Sequence, residues 1–248
     1  MSVIVYLDLT YQCTNIPQLR TKVSAPEPKE IKVSSMIELM ELKDRNSITS
    51  IVLDRVTEVT FVIEWFPNLL QLTIKNSNIQ SDLSRFCLRR CKVLYCYDNE
   101  LTSLPELPAC HTLQCYDNEL TSLPELPACH TLQCSNNQLT SLPELPACRQ
   151  LYCYDNELTS LPELPACHTL QCSNNQLTSL PELPACKELY CSYNSLTSLP
   201  ELPACQTLKC YSNKFTSLPE LPACQMLSCS DNKTISLPKL HPSCKVYN

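Results

Sequence analysis

The sequence predicts a β-rich solenoid from a 19-residue period, an alternation typical of strands inside each period, and a return segment too short for a helix. Residues 129–147 and 167–185 are identical, and the 248-residue chain holds 19 cysteines, 20 prolines and no glycine. A fixed period of this length is typical of stacked units that contact only their neighbours. Two series of cysteines carry the period: Cys91, Cys110, Cys129, Cys148, Cys167, Cys186, Cys205 and Cys224, then Cys96, Cys115, Cys134, Cys153, Cys172, Cys191, Cys210 and Cys229.

The first part of each unit has the period of a strand with one buried face. In the second regular unit, Leu113 and Cys115 alternate with Thr112, Gln114 and Tyr116. Side chains of a strand point alternately to opposite sides, so this pattern buries the leucine and the cysteine. We therefore predict one short parallel strand in each coil, on the concave face of an arc.

An asparagine and a proline-rich segment complete each coil. Asn118 follows the predicted strand, where its amide can donate to and accept from backbone groups of neighbouring turns, which predicts an amide ladder in place of glycine turns. "LPELP" follows, and proline fixes φ and removes a donor. An extended, polyproline-like return is therefore expected on the convex face.

Weaker patterns flank the regular units. Residues 48–90 keep the apolar spacing in units of 21 and 22 residues, with Ser77 in the asparagine position. "SSMIELMELKD" has a capping box in Ser35 and Glu38, which predicts a helix in a small mixed α/β cap. The predicted divisions are an N-terminal cap at 1–47, two divergent repeats at 48–90, eight regular repeats at 91–243 and a C-terminal tail at 244–248.

The regular unit, C-x-x-L-x-C-x-x-N-x-L-T-S-L-P-E-L-P-A, resembles the leucine-rich-repeat pattern with cysteine in two leucine positions. Leu94, Cys96, Asn99 and Leu101 occupy its defining positions in the first unit. The "LPELP" return resembles effectors of the Yersinia and Shigella type, whose units are one residue longer. The cysteine-rich, nearly identical units look even more like leucine-rich-repeat proteins of giant DNA viruses such as mimivirus. The resemblance implies a leucine-rich-repeat arc, and it suggests a host protein as partner.

Some of the bacterial effectors that the sequence resembles carry a C-terminal ubiquitin-ligase domain with a catalytic cysteine. Only "CKVYN" follows the last unit of this sequence, so we expect no such activity. No triad-like motif and no glycine loop for phosphate stands out from the repeat. We therefore predict a protein that is not an enzyme, with no cofactor and no small-molecule substrate.

The cysteines have a structural interpretation and two chemical alternatives. Cysteine is a small apolar residue that suits a narrow core between coils about 4.8 Å apart. Stacked cysteines at that spacing are too far apart for unstrained disulfides, which need Cβ atoms about 3.8 Å apart. A zinc site would take Cys87, Cys91 and Cys96 as ligands, although the last two already fill core positions. We predict reduced core thiols and no metal.

Composition argues against several classes of partner. Residues 91–248 carry 15 acidic and 8 basic side chains, and nucleic-acid binding needs a clustered basic surface. "MSVIVYLDLTYQC" has no basic segment and places Asp8 in its apolar run, so neither a signal peptide nor a membrane span is expected. We predict no nucleic-acid or membrane partner and a cytoplasmic, intracellular location, which would be the host cytoplasm for a viral protein.

Exposed positions of the strands form the candidate binding surface. Tyrosine supplies large contact area at low entropic cost, which suits protein recognition. Stacked tyrosines would alternatively only stabilise the sheet, and the acidic side chains would only keep it soluble. His111, His130 and His168 share another position, where solvated histidines are far commoner than metal ligands. The predicted partner-binding residues are Tyr95, Tyr97, Asp98, Tyr116, Asp117, Tyr152, Tyr154, Asp155, Tyr190 and Tyr211.

The main functional hypothesis is a non-enzymatic protein-interaction module that binds a protein partner, with a host protein as the suggested candidate, through its concave face. Two alternatives from other classes remain open. One is a substrate-recognition adaptor for ubiquitin ligation, which would use residues 1–47 to bind a ligase subunit. The other is a structural or virion component, which would self-associate.

Overall fold

The structure is a computed structural model that describes residues 29–33, 38, 41–55, 66–75, 77, 83, 88–232 and 236–247. Within these residues, twelve strands form one parallel sheet in which each strand pairs with the next along the chain. A 3-10 helix at Arg45–Ser47 precedes β2. The strands are β1 Lys29–Val33, β2 Ile48–Asp54, β3 Gln71–Lys75, β4 Val93–Tyr95, β5 Thr112–Gln114, β6 Thr131–Gln133, β7 Gln150–Tyr152, β8 Thr169–Gln171, β9 Glu188–Tyr190, β10 Thr207–Lys209, β11 Met226–Ser228 and β12 Lys245–Tyr247.

This architecture confirms the predicted solenoid with one short parallel strand per coil. The sheet also extends beyond the repeats, because β1 lies in the segment predicted as the cap and β12 in the segment predicted as the tail. β1 pairs in parallel with β2, and β12 pairs in parallel with β11. The helix predicted from the capping box at Ser35 lies mostly outside the described residues.

The register between coils follows the 19-residue period. Leu113 of β5 pairs with Leu132 of β6, so equivalent side chains stack on one another. Backbone hydrogen bonds continue past the three-residue strands: the Cys134 amide donates to the Tyr152 carbonyl at 2.8 Å, and the Asn136 amide donates to the Tyr154 carbonyl at 3.1 Å. Side chains at and just after each strand are therefore held in straight columns across the sheet.

The predicted asparagine ladder is present. The Asn118 amide nitrogen donates to carbonyl oxygens of Cys115 and Tyr116 at 3.1 and 3.2 Å, and to that of Cys96 in the preceding coil at 2.9 Å. Its amide oxygen accepts from the Leu101 backbone amide at 3.0 Å. One side chain thus joins two coils and pairs backbone groups that would otherwise be unpaired inside the protein. Equivalent bonds recur at Asn137, Asn156, Asn175, Asn194, Asn213 and Asn232.

The residue before each ladder asparagine has a left-handed backbone, with φ between 50° and 56°. Asparagine and aspartate tolerate this conformation better than other residues with a Cβ atom. Aspartate or asparagine occupies six of these eight positions, which explains how the coils turn without glycine. We call this set the turn column: Asp98, Asp117, Asn136, Asp155, Asn174, Tyr193, Ser212 and Asp231.

"LPAC" turns the chain from the convex return into the next coil. The Cys110 amide donates to the Leu107 carbonyl at 3.1 Å, which closes a four-residue turn. Pro108 is the second residue of this turn, where its fixed φ is favourable. The same bond recurs in the following units, for example from Cys129 to Leu126 at 3.1 Å.

The cysteines of the regular units are buried with the leucines, which confirms their predicted place in the core. The first cysteine of each unit also donates a hydrogen bond from its thiol to the carbonyl two residues later, as Cys110 does to Thr112 at 3.2 Å. This bond gives cysteine a local role that a purely apolar residue of similar size would not have. The second cysteine of each unit, such as Cys115, lies fully buried between coils.

Burial keeps these thiols protonated. Desolvation raises the pKa of Cys91 and Cys148 to about 11 and that of Cys129 and Cys167 to about 12. The pKa of Cys115, in the second series, is raised well above its ordinary range, first by burial and then by neighbouring cysteines. Neutral buried thiols are poor nucleophiles and poor metal ligands, which agrees with a structural role.

We expect removal of one ladder amide to destabilise the protein strongly. Asn175→Ala deletes bonds to the carbonyls of Cys153, Cys172 and Ser173 and to the Leu158 amide. Backbone groups left unpaired cost about 1 to 3 kcal/mol each, so a loss of about 2 to 4 kcal/mol in unfolding free energy is expected in urea titrations. Gln176→Ala, at the exposed neighbouring position, is the control and should change this free energy by less than about 0.5 kcal/mol. Equal effects of the two substitutions would contradict a ladder that carries stability.

The buried thiols predict loss of stability at alkaline pH. An unfolded chain releases thiol protons near pH 8.5, whereas the folded chain retains them up to about pH 11 at Cys148 and Cys186. The unfolded state then binds fewer protons, so stability is fully present below about pH 8.5 and decreases as pH rises, by up to about 1.4 kcal/mol per pH unit for each thiol. Urea unfolding at several pH values measures this slope.

Replacement of Cys153 and Cys172 by alanine should reduce the number of protons linked to alkaline unfolding by about two. This double variant assigns the linked protons to the thiols, because all other ionisable side chains are unchanged. An unfolding free energy that stays constant between about pH 8 and about pH 10.5 would contradict protonated core thiols.

Cys244 should react first with thiol reagents among the described cysteines. It is half-buried, whereas the other sixteen described cysteines are buried, and its sulfur lies 3.7 Å from that of Cys224. Iodoacetamide under native conditions, followed by peptide mass mapping, should modify Cys244 well before any cysteine of the regular units. In Cys244→Ser this early modification should vanish; rapid modification of most unit cysteines in the folded protein would refute the burial.

Candidate functional site

Two columns of side chains follow from the register on the concave face. The strand column is the last residue of each regular strand, and the tyrosine column lies two residues later, where tyrosine or serine occurs. The members of the strand column are Tyr95, Gln114, Gln133, Tyr152, Gln171, Tyr190, Lys209 and Ser228. The members of the tyrosine column are Tyr97, Tyr116, Ser135, Tyr154, Ser173, Ser192, Tyr211 and Ser230.

Tyrosines in adjacent coils pack directly on one another. The rings of Tyr97 and Tyr116 stack with centroids 4.7 Å apart and planes 3° from parallel. This separation matches the strand spacing, so a tyrosine in every coil would form a continuous stack. The stack is interrupted wherever serine replaces tyrosine.

Cavities lie at the interruptions in the middle of the column. Ser135 replaces one ring between Tyr116 and Tyr154 and leaves a narrow cavity of about 300 Å³. Ser173 and Ser192 replace two successive rings between Tyr154 and Tyr211, beside a wide cavity of about 470 Å³. The two cavities share Tyr154 as a common wall.

The structure brings some of the predicted site residues together and leaves others apart. Tyr116, Tyr152 and Tyr154 line the narrow cavity, and Tyr154, Asp155, Tyr190 and Tyr211 line the wide one. The remaining predicted residues lie on the same face at or near its N-terminal end, outside both cavity linings; they are Tyr95, Tyr97, Asp98 and Asp117.

The predicted aspartates have a structural role in the turn of each coil. Asp98, Asp117 and Asp155 belong to the turn column and adopt the left-handed backbone there. The carboxylate of Asp117 accepts a hydrogen bond from the Asn136 side chain at 2.7 Å, and that of Asp155 accepts one from the Asn174 side chain. Aspartate therefore recurs at this position of the repeat partly because it tolerates the left-handed backbone of the turn.

Sequence reasoning missed Tyr193, which projects beside the wide cavity. Its backbone has φ 54°, its side chain is 55% exposed, and its ring meets that of Tyr211 edge-on at 5.2 Å. A bulky residue in the left-handed region is unfavourable by about 1 to 2 kcal/mol, and retained strain of this kind is typical of functional sites. The unit "CSYNSL" departs from "CSNNQL" at this position, and that departure was the available signal.

Serine hydroxyls below the missing rings are buried without a protein partner. Ser135 and Ser192 are each 1% exposed, and neither hydroxyl oxygen has a protein group within hydrogen-bonding distance. An unpaired buried hydroxyl is unfavourable by about 1 to 3 kcal/mol. These serines, with Gln133 and Gln171 in the linings, are further site residues that the sequence did not single out.

The face combines aromatic rings with negative charge. Burial raises the pKa of the Tyr116 phenol, and the neighbouring Tyr97, Asp98, Asp117 and Tyr154 raise it further. The Lys209 ammonium lies over the Tyr190 ring, 5.1 Å from its centre, which is a cation–π contact within the concave face. Such contacts are attractive because the ring face carries partial negative charge.

The alternative sites have little support in the geometry. Among the described residues, no group of three histidine, cysteine, aspartate or glutamate side chains is arranged to hold a metal ion. Cys87 of the zinc alternative lies outside the described residues. The rings of His111 and His130 are 5.3 Å apart at a tilt of 57°.

No helix in the described part of the chain is long and apolar enough to cross a membrane.

Solved structures with this architecture include effectors and other leucine-rich-repeat domains. YopM from Yersinia pestis, titled a leucine-rich effector protein, is 31% identical with a TM-score of 0.63, over 75% of this chain and 55% of that one. YopM from Yersinia enterocolitica is 29% identical with a TM-score of 0.67, over 82% and 50%. This chain thus spans about half the length of both.

A Shigella effector leucine-rich-repeat domain is 26% identical with a TM-score of 0.51, over 70% of this chain and 75% of that one. The leucine-rich-repeat domain of APL1, at 19% identity and a TM-score of 0.60, supports the fold alone. No protein-family model and no curated protein sequence matches the chain. The asparagine ladder, the parallel strand in every coil and these structural likenesses together show that the chain is a leucine-rich-repeat solenoid.

Proposed function

We propose that this protein is a non-enzymatic interaction module that binds a protein partner through its concave face, centred on the wide cavity. Leucine-rich-repeat solenoids in general present an extended concave surface for protein binding. The likeness to YopM and to the Shigella effector supports a host protein as the partner.

Tyr193 is the observation that carries this proposal. The other strained positions of the turn column hold short side chains, mostly aspartate and asparagine, which suit the backbone. At Tyr193 the chain instead retains a large, half-exposed ring beside a cavity whose lining includes Tyr154, Tyr190 and Tyr211. Tyrosines around a recess are typical of the residues that dominate binding energy in protein interfaces. The ring contacts Tyr211 edge-on, and its exposed part is placed where a bound partner would add contact area.

The surrounding geometry fits a protein segment better than a small molecule. The wide cavity is about 470 Å³ and lies on the open concave face. It adjoins the narrow cavity through Tyr154, so a continuous segment of a partner would cross several coils. Polar atoms of Gln171, Ser173 and Asn174 line the same recess and offer hydrogen bonds to a partner backbone.

The test compares residues that the chain itself uses at equivalent positions. Tyr193→Asn with Tyr211→Ser introduces residues found in the same columns of other units, so the coil is retained. We expect affinity capture from host-cell lysate, under reducing conditions, to recover a partner with the unchanged protein and to lose it with this double variant. Tyr97→Ser is the matched control because it removes a ring from the same column three coils before Tyr154, and it should retain the partner.

Stability provides the second half of this test. Tyr193→Asn alone should raise the unfolding free energy by about 1 kcal/mol, because asparagine accepts the left-handed backbone. If the Tyr193→Asn variant is more stable but binds the partner more weakly, Tyr193 is retained for binding and not for stability. Capture of the same proteins by all variants, or of none by the unchanged protein, would contradict the proposed function.

A further inference from the structure

The narrow cavity is a gap in the tyrosine stack that is one ring wide. Tyr116 and Tyr154 lie two coils apart, a separation of about 9.6 Å at the spacing of neighbouring strands. Where no ring is missing, Tyr97 and Tyr116 stack at 4.7 Å. A flat group placed midway in the gap would therefore contact a ring on each side at the same distance. We call this gap the socket; its lining is Tyr116, Gln133, Ser135, Tyr152, Tyr154 and Gln171.

The floor of the socket has an unused hydrogen-bonding group. Ser135 is 1% exposed, and its hydroxyl oxygen has no protein partner. The side chain stands in the tyrosine column and lines the cavity. Gln133 and Gln171 add amide oxygens from the strand column, one coil before and one coil after the strand that ends at Tyr152. A ligand that fills the socket and donates hydrogen bonds would satisfy these groups.

The charge near the socket favours a cation. None of its lining side chains is positively charged, and Asp117 and Asp155 directly follow Tyr116 and Tyr154 in the chain. Burial raises the pKa of the Tyr116 phenol, and nearby Tyr97, Asp98, Asp117 and Tyr154 raise it further; of these neighbours, the two aspartates carry negative charge near neutral pH. On the same face, Lys209 already packs over Tyr190 at 5.1 Å.

We propose that the socket binds the guanidinium group of an arginine side chain of the partner, stacked between the rings of Tyr116 and Tyr154. This inference rests on the proposed function and adds the chemistry that the partner presents. Guanidinium is flat, stacks on aromatic faces and carries five donors, which match the Ser135 hydroxyl and the amide oxygens. An aromatic ring of the partner would leave the Ser135 hydroxyl without a partner, and a lysine ammonium is a compact point charge without a stacking plane.

The test uses short blocked peptides as probes. Acetyl-Gly-Arg-Gly-amide and its citrulline analogue have similar shapes, but citrulline is uncharged. Titration of the isotope-labelled full chain is followed by NMR at Ser135 and at the side-chain amides of Gln133 and Gln171. We expect the NMR chemical shifts to change saturably with the arginine peptide. The citrulline peptide should bind about tenfold more weakly, because it loses the attraction between a cation and the two tyrosine rings.

Two matched variants locate the binding. Ser135→Tyr fills the socket with the residue that four other units use in this column, so the fold should be kept and the arginine response lost. Ser173→Tyr makes the same change in the wide cavity and should keep the response. Urea unfolding of both variants checks that each is folded before the titration.

The proposal is overturned if arginine and citrulline peptides bind equally, if Ser135→Tyr retains the response, or if the folded, unchanged protein shows no saturable shift. Capture of a partner separates this result from the proposed function. A partner that is lost with the Tyr193→Asn, Tyr211→Ser variant but held equally by the unchanged protein and by Ser135→Tyr would support concave binding and refute the arginine socket. Specific arginine binding without any captured partner would support the socket and contradict the proposed function.

Discussion

The asparagine ladder is the interaction on which the rest of this structure depends. A coil of 19 residues without glycine has to leave its strand through a left-handed residue, and the backbone groups at that turn lie inside the protein. Asn118 and its equivalents bind these groups in their own coil and in the preceding one. The ladder thereby sets the register of successive coils, and the register places the exposed side chains in straight columns.

The core is adapted to the same narrow coil. Two thiols per regular unit fill the spaces between coils, at positions where the divergent units carry larger side chains such as Leu53 and Ile74. The first thiol is also part of the local backbone structure, because it donates to a carbonyl two residues later, as in Cys129 and Thr131 at 3.3 Å. Desolvation keeps the thiols protonated. The buried cysteines are therefore poorly reactive, although the chain is unusually rich in them.

Nearly identical coils alone would present a uniform surface with little ability to distinguish one partner from another. Specificity has to arise where one coil differs from its neighbours. Ser135 opens the narrow cavity, Ser173 and Ser192 adjoin the wide one, and Tyr193 projects beside it. These few departures from the repeat lie on the face where the regular positions are already aligned, so small changes in sequence produce a shaped, aromatic and acidic surface.

The sequence by itself determined the solenoid, the buried leucines and cysteines, the ladder and the alignment of the tyrosines, because each unit contacts only its neighbours and the same local pattern recurs eight times. Tyr116, Tyr152, Tyr154 and Tyr190 could be placed on one face by counting. The tertiary structure alone decided the left-handed turn column, the strands at both ends of the sheet, the exposure of Tyr193 and the two cavities. A cavity depends on what residues 19 positions apart leave unfilled, and the strain at Tyr193 depends on a backbone angle. Neither quantity is contained in the alternation of apolar and polar residues along the chain.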